Sequence, residues 1–432
     1  MMKLITDPRR RRWVIVATIF IAIICNYLDR QLLSVLKPEI LSEFGIDDNG
    51  YAWIVNVFLI CYAVMYPISG VLVDRFGSKR VMMAGIVAWS LACIGGGLSQ
   101  NIVQFTVCRG VLGLAEPTIF AGQIVAVTLW FEQRHRATAN SLCTAGGSLG
   151  TVVAPLLIAW LCRILPSWQE VFMVAGIVGL VIAAVWWFVY KNPPQEILAV
   201  TTAQRSEARS SEQRAFGWGE LFRTRSLWGV LLIRMISDPV WYFCCFWLPA
   251  YLRDIYRMQD AALSMQDTLD RIQWIGGIPF LVGAVGGVLS SVWSDRMVRR
   301  GSDSLAARKR MMIATVVVAP LCMLVPYLNG WIADAQMQVA VVVAIFSLIA
   351  VMCLSWLYTI CVVIAEAFPV RNVASVVGIT AGAGAVGGAV FNIFVGDMLA
   401  SMGDVLFIIM GMLHIAAAVI LWRMVRRETP LT

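Results

Sequence analysis

Between Val171 and Tyr190 the chain reads VFMVAGIVGLVIAAVWWFVY, 20 residues without one charge. As an α-helix, rising 1.5 Å per residue, such a run crosses the ~30 Å hydrocarbon layer of a bilayer. A helix also satisfies its backbone N–H and C=O groups internally, as lipid requires. Working outward in both directions, similar runs recur. They define twelve candidate spans: 13–36, 50–73, 81–99, 102–131, 138–162, 168–190, 227–252, 272–294, 311–328, 335–364, 372–399 and 403–422. The predicted fold class is an all-α membrane protein with twelve transmembrane helices.

Composition points the same way. Of 432 residues, 59% are apolar and 14% charged, whereas a soluble chain carries about 25% charged residues. Such a chain is too apolar to be disordered. Its net charge of +8 raises the question of nucleic acid, but the basic residues sit in short loops between apolar runs. With the N-terminus inside, 26 of the 34 Lys and Arg fall in inside segments and 5 outside. This bias predicts that both termini are cytoplasmic and that no nucleic acid is bound. The eleven cysteines show no metal-ligand or redox spacing, so no disulfide framework, metal or cofactor is expected. Arg9 to Arg12 precede an apolar run, as in a signal peptide, but the run is too long and holds Asp29 and Arg30. It is predicted to be an uncleaved first span.

The longest loop, 191–226, contains Pro193-Pro194 and is rich in Ser, Gln, Glu and Arg. It divides the chain into a six-helix bundle over 1–191, a cytoplasmic linker over 192–226 and a second six-helix bundle over 227–432. The halves repeat each other. Phe131-x-x-Arg134-x-x-Ala137, then Thr144-Ala145-Gly146, is matched by Phe368-x-x-Arg371-x-x-Ala374, then Thr380-Ala381-Gly382. Asp74-Arg75 after span two is matched by Asp295-Arg296 after span eight. Duplicated halves of this kind commonly enclose a midplane substrate site and rock about it.

Between spans two and three stands Gly70-Val-Leu72-Val-Asp74-Arg75-Phe-Gly77-Ser-Lys79-Arg80. It resembles the major facilitator superfamily signature G-x-L-x-D-R-x-G-x-K-R at every specified position. Ser291-Val-Trp-Ser-Asp295-Arg296-Met-Val-Arg299-Arg300 is a degenerate second copy. The resemblance implies two pseudo-symmetric bundles, alternating access, and a gate built from Asp74, Arg75, Lys79, Arg80, Asp295 and Arg296. A finer resemblance rests on Asn26-Tyr27-Leu28-Asp29-Arg30, on Arg109-Gly-Val-Leu-Gly-Leu-Ala-Glu116 and on Trp130-Phe131-Glu132-x-Arg134-x-Arg136-Ala137. These look like the anion:cation symporter branch. Arg234-Met-Ile-Ser-Asp238-Pro239-Val-Trp241, followed by Trp247-Leu-Pro249, is most similar to its hexuronate members. The resemblance implies a proton-coupled carrier of a sugar acid in a bacterial inner membrane, working as a monomer.

Charges inside the spans cost roughly 2.5–3.5 kcal/mol each on insertion scales and need a reason. Asp29 and Arg30, being adjacent, point about 100° apart on a helix. Arg109 and Glu116 lie two turns apart on one face, ~10 Å, too far for a direct bond. Arg109 is therefore expected to pair with Asp29, leaving Glu116 another environment. Arg30 is assigned to the substrate carboxylate, since a guanidinium forks onto carboxylates. Asp29 and Glu116 are assigned to proton coupling with Arg109, because an apolar cavity lets a carboxylate load and release a proton. The family pattern implies the same four roles; a purely structural ion network is the alternative.

Arg234 and Asp238, at i,i+4, are expected either to neutralise each other or to free Asp238 for substrate hydroxyls, with Trp241 stacking on the sugar. Pro239 is expected to break the helix there. Tyr27, Tyr62 and Thr380 are candidate hydroxyl partners, each with packing as the alternative. Gly146, Gly150, Gly384 and Gly388 are small-residue positions for close helix packing. His414 is read as a packing residue and Glu366 as a gate or helix-end group. A ligand sensor without turnover and an exporter of organic compounds are competing functions, and galactonate, other aldonates or aromatic acids are competing substrates. No nucleophile–base set or phosphate loop points to an enzyme or an ATP-driven pump.

Overall fold

A computed structural model describes residues 8–131, 133–195, 216–259, 267, 275–401 and 403–428. All regular structure among them is helical. In chain order the helices are α1 (Pro8–Val35), α2 (Lys37–Phe44), α3 (Asp48–Phe76), α4 (Ser78–Gly97), α5 (Ile102–Ala115), α6 (Pro117–Trp130), α7 (Gln133–Ile164), α8 (Trp168–Val189), α9 (Trp218–Leu221), α10 (Arg225–Phe246), α11 (Leu248–Gln259), α12 (Ile278–Arg299), α13 (Ser304–Thr315), the 3-10 helix Val316–Tyr327, α14 (Leu328–Trp331), α15 (Ala335–Ala367), α16 (Val370–Ser401) and α17 (Gly403–Met424). Among the described residues twelve stretches are long and apolar enough to cross a membrane, the number expected from the sequence. Most of the linker, 196–215, lies outside the described residues.

Span four is interrupted where proline dictates. Span four consists of α5 and α6, joined at Glu116. Pro117 has no N–H to give back to Gly113, so one helix ends and the next begins. Pro239, by contrast, leaves α10 continuous from Arg225 to Phe246, which corrects the expected break. Pro239 removes only the bond to the Met235 carbonyl. That oxygen is covered by Gly387 of α16, where a Cβ would overlap it. Packing holds the helix and closes off the freed carbonyl.

The chain forms two compact units, Met1–Leu32 with Ile60–Glu212, and Leu33–Leu59 with Gln213–Thr432. In the first, α4 packs on α8 and α5. A Cβ on Gly176 would stand 2.5 Å from the Ser90 carbonyl and one on Gly146 2.5 Å from that of Phe20. Only glycine permits such approach, which is how helices associate where lipid supplies no hydrophobic drive. In the second, α12 packs on α15 through Gly283 and Gly287, and α10 packs on α16.

The second unit also fastens Leu33–Leu59. Arg253 of α11, with no exposed surface, donates to the Val35 carbonyl at 2.8 Å and to both Glu39 carboxylate oxygens at 2.7 and 3.2 Å. Asn392 donates to the Ala52 carbonyl and to Asn56 Oδ1, while accepting from Trp247 Nε1. Lys37 pairs with Asp48 at 2.7 Å and sits over the Trp247 ring.

Candidate functional site

The first unit gathers four ionisable residues from three helices. Asp29 and Arg30 come from α1, Arg109 from α5, and Glu116 from the α5–α6 junction. Their residues are 2%, 8%, 2% and 0% exposed, so each charge must find a partner inside the protein. Arg30 Nη2 meets Glu116 Oε2 at 2.6 Å and Nε donates to the same oxygen at 2.7 Å. The rings of Tyr27 and Tyr62 lie 5.0 and 4.8 Å from the guanidinium carbon, within cation–π range. Arg109 reaches Asp29 through the backbone, Nη1 donating to the Asp29 carbonyl at 3.3 Å, and not through the expected ion pair with the Asp29 carboxylate. The Cys93 thiol points at Asp29 Oδ1 at 3.7 Å.

The union of Arg30 with Glu116 is what the spacing did not anticipate. Arg30, expected to keep its fork for a substrate, has it on a carboxylate of the protein. The signal was Pro117: breaking the helix there places Glu116 at a junction between α5 and α6. Glycine supplies the room for Tyr27, since a Cβ on Gly147 of α7 would stand 2.7 Å from the Tyr27 ring. Tyr62 continues into an aromatic row, 5.5 Å from Tyr66, which stacks on Phe120.

The second unit holds its own buried pair. Arg234 Nη2 meets Asp238 Oδ2 at 2.9 Å, one turn apart on α10. The two residues neutralise each other, the first of the two readings. A Cβ on Gly384 would overlap Asp238, so this glycine makes room for the charge pair as well as for helix packing. Trp241 meets Phe280 edge-on, ring centres 5.7 Å apart. The Thr380 hydroxyl donates to the Val377 carbonyl at 3.0 Å, within its own helix.

At the loop after α3, the Lys79 ammonium sits 4.4 Å from the Trp187 ring, and Trp186 Nε1 donates to the Lys79 carbonyl. Arg75 lies over Phe76. Arg80 lines an apolar groove with Met65, Leu72 and Leu114. The Asp74 side chain lies outside the described residues. In the matching loop, Asp295 pairs with Arg308, which also donates to Ser294. Arg296 is exposed in the last turn of α12. Glu366 accepts from the Ser304 hydroxyl at 2.7 Å.

Known proteins resemble this chain over its length. The hexuronate transporter of Escherichia coli (strain K12) is 23% identical over 425 residues, covering 96% of this chain and 94% of that one. The galacturonate transporter of Dickeya chrysanthemi is 26% identical over 261 residues, 59% of this chain and 75% of that one. A solved D-xylose-proton symporter superposes with a TM-score of 0.73 at 13% identity, covering 97% of this chain and 99% of that one. The Major Facilitator Superfamily profile matches residues 19–300. The match spans most of the described first unit and reaches the repeated Asp295-Arg296 motif, and among the described residues the expected twelve stretches are long and apolar enough to cross a membrane. The chain therefore belongs to the major facilitator superfamily and is a multi-pass membrane transporter, not an enzyme.

Proposed function

We propose that the chain is a proton-coupled symporter that imports a sugar acid, a hexuronate such as glucuronate or galacturonate, across an inner membrane by alternating access. The observation that carries this reading is the Arg30–Glu116 pair, wholly buried on the Glu116 side. A substrate carboxylate and Glu116 compete for one guanidinium. When Glu116 takes a proton it no longer holds Arg30, and the fork is available to the substrate. When substrate leaves, Arg30 draws Glu116 back to its ionised form and the proton departs. Tyr27 and Tyr62 keep the guanidinium in place between the two states. Asp29, beside Arg109 and Cys93, is the second coupling carboxylate.

The choice of a sugar acid is supported by the hexuronate and galacturonate transporters among the relatives. The charge of Arg30 agrees, since an arginine released by protonation selects an anion. In the same reading the protein works as a monomer with both termini cytoplasmic. Asp238, Trp241 and Thr380 are assigned to the sugar in the substrate-bound state, once Arg234 is displaced and the water-sized space beside Asp238 and Trp241 has opened. The paired basic loops containing Asp74, Arg75, Lys79, Arg80, Asp295 and Arg296 act as gates.

The test is uptake of labelled glucuronate and galacturonate into proteoliposomes, with and without an inward proton gradient. Accumulation that needs the gradient supports the reading. A folded preparation that carries neither uronate sinks the hexuronate assignment and directs the search to aldonates and aromatic acids. Uptake indifferent to the gradient sinks the proton coupling.

A further inference from the structure

The second unit encloses a small cavity among α10, α15 and α17, lined by Arg234, Ser237, Asp238, Cys353, Trp356 and His414, with a few apolar neighbours. It leaves about 10 Å³ for the centre of a water-sized molecule. That is close to what one water needs and far below what a sugar needs. The lining is polar where a water would want it. Asp238 presents a carboxylate held on one oxygen by Arg234 at 2.9 Å, while the other accepts a long contact of 3.5 Å from the Ser237 hydroxyl.

His414 is 1% exposed. Its Nε2 lies 4.0 Å from Cys353 Sγ, and its Nδ1 has no hydrogen-bond partner among the described residues. Trp356 packs edge-on to the imidazole at 5.3 Å but spends its indole N–H on the Met312 carbonyl. A buried ring nitrogen without a partner is costly, and one water in this cavity would satisfy it.

We propose that the cavity holds one water molecule bridging His414 Nδ1 to the Asp238 carboxylate, and that this bridge is a second proton-binding site, separate from the one around Arg30. With Asp238 ionised, the water donates one hydrogen to the carboxylate and the other to Nδ1. The Nε2–H faces Cys353. When a proton binds, an O–H bond forms on Asp238 and donates to the water oxygen, while the water still donates to Nδ1. The Arg234 ion pair opens, and the site gains one positive charge. The imidazole stabilises the neutral acid as the terminal acceptor of the chain. The ionisable groups around the bridge are Arg234 on α10, Cys353 and Cys361 on α15, and, next to Cys353, Cys244 and Cys245 of α10 and Cys322 of the 3-10 helix. Toward the pair α16 presents Gly384.

The inference deepens the proposed proton coupling and rests on it only for its effect on transport. The chain has two histidines, His135 and His414. In a His135→Gln background carrying 15N-histidine, the ring nitrogens of His414 are therefore read alone, in nanodiscs and without substrate. The expected spectrum is a neutral Nε2–H tautomer whose Nδ1 accepts a hydrogen bond. Asp238→Asn should displace the Nδ1 resonance and remove any step in it between about pH 5 and 8. An Nδ1 resonance of a bare nitrogen, or one identical in Asp238→Asn across that range, overturns the proposal. In proteoliposomes His414→Gln should shift the pH midpoint of gradient-driven uptake while substrate exchange continues. A His414→Leu protein that exchanges substrate and keeps the parent pH profile also overturns it. The resonance reports on the bridge whichever anion the protein carries.

Discussion

Arg30 and Glu116, 86 positions apart in the chain, share a hydrogen-bonded ion pair of 2.6 Å in which Glu116 has no exposed surface. Because one guanidinium serves both the protein's carboxylate and, by our proposal, the substrate's, the two partners should respond differently to mutation. Glu116→Gln should abolish gradient-driven accumulation yet leave substrate exchange within a few fold. Arg30→Ala should weaken substrate binding roughly 10- to 100-fold, the loss of a charged hydrogen-bond pair worth about 1.5–3 kcal/mol. Arg30→Lys should recover little of it, since an ammonium cannot fork. Counterflow and equilibrium binding separate the two effects. Equal loss of exchange in both variants would count against a coupling role for Glu116.

Gly147 makes a prediction one step removed from the charge. An alanine there puts a methyl group about 2.7 Å from the Tyr27 ring, so the ring must shift from the Arg30 guanidinium. Gly147→Ala should raise KM several-fold and cost about 1–3 kcal/mol in stability from overpacking. Gly403, whose Cβ would meet nothing within 4 Å, serves as the control: Gly403→Ala should leave KM unchanged. A thermal melt beside uptake kinetics checks both.

Arg253 is wholly buried against Glu39 and the Val35 carbonyl. Removing one partner of such a pair strands the other. Arg253→Gln should therefore destabilise by roughly 3–5 kcal/mol and lower the melting temperature by several degrees. The Glu39→Gln/Arg253→Gln double variant should cost less than the two single losses added. Strict additivity in the cycle would mean that the pair is not coupled.

Asp303 caps α13. Its carboxylate accepts from the Ala306 backbone N–H at 2.9 Å and pairs with Arg427 at 2.6 Å. Chiefly the Ala306 N–H, and then Arg427, hold its pKa below the ordinary carboxylate value. A group depressed on folding stabilises above its unfolded pKa, about 3.9, and loses that contribution as pH falls through the lower folded value. The melting temperatures of wild type and Asp303→Asn should therefore differ at pH 6 and converge in acid. A gap that persists or widens in acid contradicts this.

Much of the architecture is visible before any coordinates. Twelve apolar runs and the repeated Asp-Arg loops follow from residue type and spacing. Which residues carry charge inside the membrane is equally plain, because Asp29, Arg30, Arg109, Glu116, Arg234 and Asp238 interrupt runs that otherwise exclude charge. The i,i+4 pairing of Arg234 with Asp238 is local and could be read as an alternative, since both residues sit on one helix face.

What the tertiary structure decided is who meets whom across helices. The partner of Arg30 could not be read from spacing, because it depends on how α1 lies against the junction that Pro117 creates. The fate of the Met235 carbonyl freed by Pro239 was decided by Gly387 on another helix, and the role of Gly384 by the charge pair beneath it. The water-sized space beside His414 exists only where α10, α15 and α17 meet. The physical reason is the same in each case. Transfer to lipid depends on each side chain summed along a run, so sequence alone determines which segments cross. Ion pairs and cavities depend on distances of a few ångströms between segments far apart in the chain, and only the packed helices set those distances.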